Sequence, residues 1–354
     1  MKHFTKTNSM IVKGFAIILL LIYHLFGNEF VVAAWEVDYG PLPFPVFHTI
    51  SLFGNICVSL FVFLTAFGIS AGLFANPQCN AEKAYQQATG RFFRLMGNFF
   101  LLYLSVNLLW WNRFDYASVY GIGKQGLLNC LLDAAGLHNL AGTGTINVTW
   151  WYMKIAYIMI FLVPLLVLIT KKTGYTVLIL VLLFPVVIPM DEDVRRYLFT
   201  AGLGVCAAYG GWFEKLVNYR YKVLQWMAGL FGLGFCVILR QNDFIQQNYL
   251  HVVDAGVSLF LVYFAGVLLA GVPVLKNVLE FVGKHSMNIY LVHTFFYLLL
   301  WQEFIYAFHY AGLILLVLLI VSLSYSIVLE FVKRQLLNLW KWVKGKFCEK
   351  YDIT

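Results

Sequence analysis

Residues 10–26 read MIVKGFAIILLLIYHLF, and the reading of this stretch decides the fold. It is apolar over nearly the length of a membrane crossing, which takes about 20 residues at 1.5 Å each. Two ionisable side chains interrupt it, Lys13 near the start and His24 near the far end. Eleven helical steps of about 100° return to within about 20° of the starting direction, so both side chains share one stripe about 16 Å long. An ionisable group in such a span costs up to about 3 kcal/mol on insertion scales and is by default a site candidate. A basic start and an apolar middle also suit a signal peptide. The histidine, the lack of a small-x-small cleavage site and the similar stretches that follow argue against one.

The rest of the chain repeats the pattern. Its 354 residues are 61% hydrophobic and 12% charged, with a mean hydropathy of +0.77. A soluble domain cannot bury so much apolar surface, whereas a polytopic membrane protein need not. Ten candidate spans follow, at about 9–27, 50–74, 92–111, 148–170, 174–190, 195–213, 223–240, 251–271, 285–304 and 311–332. The fifth is short and ends in Pro185 and Pro189. The expected fold is an all-α integral membrane protein, a bundle of about ten transmembrane helices. It forms a single domain over 1–354, with no appended soluble domain.

Charge sets the orientation. Of the 25 Lys and Arg residues, 19 fall in one alternating set of segments and 5 in the other, with Lys154 inside a span. By the positive-inside rule the richer set is cytoplasmic, which places both termini there. The net charge of +8 therefore speaks of topology and not of nucleic acid. The opposite loops are acidic, with Glu29, Glu36, Asp38 and the run Asp191, Glu192, Asp193. The longest of them, about 112–147, holds LLNCLLDAAGLHNLAG, a patch too short to span and suited to a re-entrant or interfacial helix. The tail WKWVKGKFCEKYDIT is basic with interleaved aromatics and suits the anionic inner leaflet. Six scattered cysteines show neither zinc spacing nor a disulfide framework.

Four features stand above the apolar background. His24 suits proton transfer, because imidazole titrates near neutrality; its alternative is a hydrogen-bonded structural histidine. Lys13 could equally be an interfacial anchor. Arg91 and Arg94, in GRFFRL, share a helical face at i and i+3 and suit bidentate binding of phosphate; their alternative is a pair of anchors. Lys154 and Asp254 lie about 9 Å and 5 Å inside the outer ends of their spans. Buried charges pair or face water, so Lys154, Asp254 and His24 are expected to line one outward-facing cavity. Finally, GKHSMNIYLVHTFF carries Ser286 at a span start and His293 about 10 Å along it.

Together these residues resemble the acyltransferase-3 family of polytopic membrane O-acyltransferases. The family's first span is similar to an arginine, ten residues and a histidine, here Lys13 and His24. Its third span opens with two arginines two residues apart, here Arg91 and Arg94. VSLFVFLTAFG resembles its second span, with Thr65 and Ala66 where serine and glycine are commoner. Ser286, Tyr290, Leu291 and His293 match a Ser-x-x-x-Tyr-Leu-x-His element, and TWWYMKIAYIMIFLVPLL resembles a tryptophan-led fourth span. Lys13 keeps the charge of the usual arginine but loses its fork.

The resemblance implies transfer of an acyl group, commonly acetyl, from cytosolic acyl-CoA to a hydroxyl of an extracytoplasmic cell-surface polysaccharide or lipid-linked sugar. It places the protein in a plasma membrane, bacterial by the family's usual source, among membrane lipid and with no metal. It assigns CoA phosphates to Arg91 and Arg94 with Lys13 assisting, and the general base to His24. Asp254 or Lys154 would orient that base or steady developing charge, and His293 would orient substrate or help proton transfer. Trp150, Trp151, Ser286 and Tyr290 are the substrate-binding candidates. A transporter or flippase for a glycan precursor is the competing reading, lowered by the absence of an inverted repeat. A silent scaffold is a third, and it predicts no CoA binding.

Overall fold

The computed structural model describes residues 4–351 apart from Pro77, with side chains as far as Trp342. Among these residues the chain is predominantly helical and forms no strand. One isolated bridge joins Asp38 to Tyr310. The principal helices are α1 (Lys6–Phe26), α2 (Cys57–Phe74), α3 (Ala81–Trp110), α4 (Tyr152–Thr173) and α5 (Val177–Val187). They continue as α6 (Glu192–Gly210), α7 (Lys222–Arg240), α8 (Leu250–Tyr263), α9 (Pro273–Lys284), α10 (Ser286–Thr294) and α11 (Ala311–Tyr351).

Local chemistry sets the starts. Thr5 caps α1, accepting from the Asn8 N–H while the Asn8 side chain accepts from the Thr5 N–H at 2.8 Å, which satisfies two orphan donors reciprocally. Asn80 caps α3, and Asp191 caps α6 ahead of Glu192 and Asp193, where negative charge suits the helix dipole.

Seven segments are long and apolar enough to cross a membrane: Lys6–Phe26, Phe44–Phe74, Ala81–Arg113, Val148–Val187, Lys222–Arg240, Leu250–Gly271 and Ala311–Trp342. The fourth is broken by Gly174, which adopts a φ of +60° between α4 and α5. The other stretches expected to span are also helical: α5 counts only as part of the fourth segment, and α6 and α10 stand outside the seven, each for a physical reason. α5 has 11 residues and α10 with its π-turn (Phe295–Leu300) has 15, against the roughly 20 needed for hydrocarbon about 30 Å thick. α6 has the length, but charges crowd its first turn.

α1 is the organising element. It packs against α2, α9 and α10. Its contact with α9 is made through glycine: a Cβ on Gly14 would land on the Leu279 carbonyl, and one on Gly283 on the Met10 carbonyl. α2 packs closely on α6, and α4 lies against α2 and α3. The bundle has a basic end, where Lys13, Arg91, Lys284 and Lys333 gather, and an acidic end bearing Asp191 and Asp193. The segment 112–147 folds into short helices, the longest Gly123–Ala134. Buried Asp133 ties it down, accepting from the Tyr120 hydroxyl at 2.6 Å and the Ile146 N–H at 3.1 Å and pairing with His138 at 2.9 Å.

Candidate active site

The stripe on α1 joins two cavities. Lys13 lines one of about 550 Å³ at the basic end. Leu20 and His24, seven and eleven residues further along, line another of about 240 Å³ at the acidic end. Two larger cavities, about 670 Å³ each, share Gln225 of α7, and neither is lined by a histidine or a carboxylate.

The acidic-end cavity is built from six elements, one of them α10 through Tyr290. α1 supplies Tyr23 and His24, and the turn before α2 supplies Asn55. α2 supplies Cys57, Trp151 leads into α4, and α6 supplies Asp193 and Arg196. His24 is half-buried, and its Nδ1 lies 3.3 Å from the Tyr297 hydroxyl. Tyr297 sits in the π-turn after α10, a geometry that rotates side chains out of α-helical register. The His24 ring also faces the His293 ring at 4.8 Å between centroids. His293 is fully buried. Its Nδ1 lies 2.7 Å from the Tyr290 carbonyl and 3.2 Å from that of Ile289. Both are acceptors, which assigns the proton to Nδ1 and leaves Nε2 a bare acceptor. That Nε2 is buried without a partner.

The surrounding charges correct one expectation. Lys154 and Asp254 do not line the cavity with His24; each stands one ion pair behind it. Lys154 reaches Asp191 at 3.0 Å and Asp193 at 2.7 Å. Asp254 accepts from Arg240 Nε at 2.8 Å and lies 3.6 Å from Arg196. Arg240 in turn donates to Asn55. The reason is desolvation: a charge buried in apolar surroundings takes the nearest opposite charge. The residues that face the cavity are therefore Asp193 and Arg196, the partners of the two expected, with Asn55, a partner of Arg240. At the rim, burial works to raise the Asp191 carboxyl, but hydrogen bonding to Lys154 outweighs it and holds the carboxyl below its ordinary value.

At the basic end Lys6, Lys13 and Arg91 line one cavity together with Thr5, Ser9 and Thr65, and no carboxylate lines it. Arg91 also lines a neighbouring cavity of about 320 Å³ with Arg94, Asn98, Lys284, Glu330 and Lys333. The double arginine is thus shared out: Arg91 serves both cavities, whereas Arg94 lines only the second. In that second cavity Lys333 donates to Asn98 Oδ1 at 2.6 Å and lies 3.4 Å from Glu330.

Two expected substrate residues lie elsewhere. Trp150 is fully buried, donates Nε1–H to the Leu291 carbonyl at 2.9 Å and packs on Phe99. Ser286, at the start of α10, is buried about 10 Å along the helix from His293. Trp151 and Tyr290 do line the His24 cavity. Asn55, Arg196 and Tyr297 were not legible as site residues. Arg196 carries the only sequence signal of the three, an arginine two turns from the apolar centre of its helix.

The family model described as "Acyltransferase domain", the acyltransferase-3 model, matches residues 10–331. No curated protein and no solved structure matches the chain.

Proposed function

We propose that this chain, which belongs to the acyltransferase-3 family, moves an acyl group from cytosolic acyl-CoA to a hydroxyl of an extracytoplasmic glycan or lipid-linked sugar. Acetyl is the acyl group of choice, as it is commonest in the family. In this reading the seven long segments cross, the fourth of them twice because α4 and α5 each span, and α6 and α10 cross as well, giving ten spans with both termini in the cytoplasm. The membrane is a bacterial plasma membrane, the basic end faces the cytosol and the acidic end faces out.

One observation carries the proposal: a single helix delivers a cation to an acid-free basic cavity and an imidazole to a polar cavity at the opposite end. Lys6, Lys13 and Arg91 suit the phosphates of CoA, the guanidinium by its fork and the ammonium groups as point charges. Trp151 and Tyr197 offer apolar faces beside Asn55 and Asp193, a mixture that suits a sugar. His24 acts as general base. With Nδ1–H donating to the Tyr297 oxygen, Nε2 is free to take the proton of the acceptor hydroxyl. The hydroxyl oxygen then attacks the thioester carbonyl carbon. The C–S bond breaks, and the departing thiolate takes the proton back from the imidazolium.

Charge developing on the carbonyl oxygen needs donors that are already oriented. Asn55 is held through its Oδ1 by Arg240, which leaves its amide N–H groups for the cavity. The buried Nε–H of Arg196 has no partner. These two take the role first expected of Asp254 and Lys154; Asp254 instead holds Arg196 directly and Asn55 through Arg240, while Lys154 holds Asp193.

The test is binding of acyl-CoA to the purified protein. Saturable binding weakened by Arg91→Ala and Lys13→Ala supports the reading. Absence of binding in a folded wild type overturns it and favours a transporter or a scaffold.

A further inference from the structure

The two cavities are separate, and what divides them is thin. On α2, Cys57 lines the His24 cavity and Thr65 the Lys13 cavity. Eight residues separate them, about 12 Å of helix. Phe61, one turn from each, lies between on the same face. The Phe61 ring meets the Tyr152 ring at 6.2 Å, and Tyr152 meets Tyr290 edge-on at 5.4 Å. Both tyrosines are more than nine-tenths buried. On α1 the fully buried Ile17 occupies the corresponding level between Lys13 and Leu20.

The two tyrosines are held differently. Tyr290 donates its hydroxyl hydrogen to the Thr149 carbonyl and is fixed to the main chain. Tyr152 is the first residue of α4, next to the short 3₁₀ turn Val148–Trp151. Its ring lies against Phe61, which is one turn of α2 from Thr65 of the basic cavity. One partner is anchored to the backbone through its hydroxyl, the other sits at the first residue of its helix and is held by ring contacts.

We infer that Tyr152 is a movable partition between the donor and acceptor cavities, which admits the thioester to His24 and otherwise keeps water from the outer side away from it. The inference rests on the acyl-transfer reading for its purpose, though not for its geometry. In this reading, loss of the Tyr152 ring, which lies between Phe61 and Tyr290, opens a path between the cavities. Water then replaces the acceptor: its oxygen bonds to the acyl carbon and the C–S bond breaks. CoA leaves as the free thiol, and the acyl group leaves as a carboxylate and a proton. Tyr152 thereby determines that the acyl group goes to a hydroxyl acceptor and not to water.

Cys57 is a built-in reporter, because it lines only the His24 cavity of the two. Sealed vesicles of known orientation carrying wild type, Tyr152→Ala or Tyr152→Phe are exposed, on the cytosolic face, to a small anionic methanethiosulfonate. Labelling at Cys57 is read by peptide mass. CoA release from acetyl-CoA is measured in parallel without acceptor. Tyr152→Ala is expected to raise both several-fold, and Tyr152→Phe, which keeps the ring, to stay near wild type. Tyr152→Leu, a smaller plug that preserves an apolar core, is expected to fall between them, which separates opening from misfolding. Equal Cys57 labelling in wild type and Tyr152→Ala overturns the partition, whether or not acyl transfer occurs. The expected labelling with no CoA released by any variant upholds the partition and overturns the acyl-transfer reading.

Discussion

His24 and His293 stand ring to ring, 4.8 Å between centroids, one on the first helix and the other nearly 270 residues later in the chain. The pairing is asymmetric. His24 reaches the cavity, while His293 is sealed, with Nδ1 committed to main-chain carbonyls and Nε2 without a partner. A buried polar atom left unpaired costs stability. Replacing His293 with Phe removes that atom and keeps a ring against His24. Thermal stability in detergent is expected to hold or rise, while kcat falls by about an order of magnitude with KM for acyl-CoA unchanged. A loss of stability with normal kcat would identify His293 as structural only.

Arg91 lines both basic cavities and Arg94 only one. Arg91→Ala is therefore expected to raise KM for acyl-CoA more than Arg94→Ala. The loss of a charged hydrogen-bond partner worth about 1.5–3 kcal/mol corresponds to roughly 10–100-fold. Arg91→Lys, which keeps the charge and drops the fork, should fall between wild type and Ala. Steady-state kinetics across acyl-CoA concentrations decide it.

Two ion pairs at the acidic end differ in burial, and their variants should differ accordingly. Asp254 is nearly inaccessible and holds Arg240, itself buried. Asp254→Ala leaves a guanidinium unpaired, at a cost of about 3–5 kcal/mol, and the double variant Asp254→Leu with Arg240→Leu should recover much of it. Lys154 meets two half-exposed carboxylates, so Lys154→Ala should cost about 1 kcal/mol or less. Thermal denaturation separates the cases. Because the Asp191 carboxyl is held low in the fold, its share of stability is present above the ordinary carboxylate pKa and disappears as pH falls through the depressed value. The Lys154→Ala variant should lose that acid-sensitive part.

Gly14 and Gly283 let α1 and α9 touch backbone to backbone. Gly14→Ala would force the helices apart and shift the stripe that carries Lys13 and His24. Reduced thermal stability and reduced transfer are expected together, whereas Gly312→Ala on α11, where the space is open and no cavity described above is lined, should change neither.

Much of this was legible in the sequence because a membrane narrows the choices. Apolar length gave the long helices, and the eleven-residue separation put Lys13 and His24 on one face with no tertiary information. Arg91 was found by its i, i+3 pairing with Arg94 and His293 by standing in an apolar span, and Tyr290 through its match to a family element. Pairing between distant segments was not legible. Nothing in the spacing of Lys154 and Asp254 says that one finds Asp193 and the other Arg240, because opposite charges within reach compete and the fold decides. α5 and α10 are shorter than a usual span for a related reason: apolar composition signals burial, while length depends on where the helix stops, at Val187 ahead of Pro189 in α5 and at the π-turn in α10. Tyr152 was hidden among aromatic residues that read simply as membrane core.

The central claim is that the His24 imidazole performs the proton transfer. Its most direct test supplies radiolabelled acetyl-CoA to the cytosolic face of inverted vesicles and counts label on enclosed glycan, comparing wild type with folded, inserted His24→Ala. A positioned general base contributes about 10²–10⁴-fold, so transfer should drop by that factor while acetyl-CoA binding remains. Undiminished transfer in the variant would contradict the account.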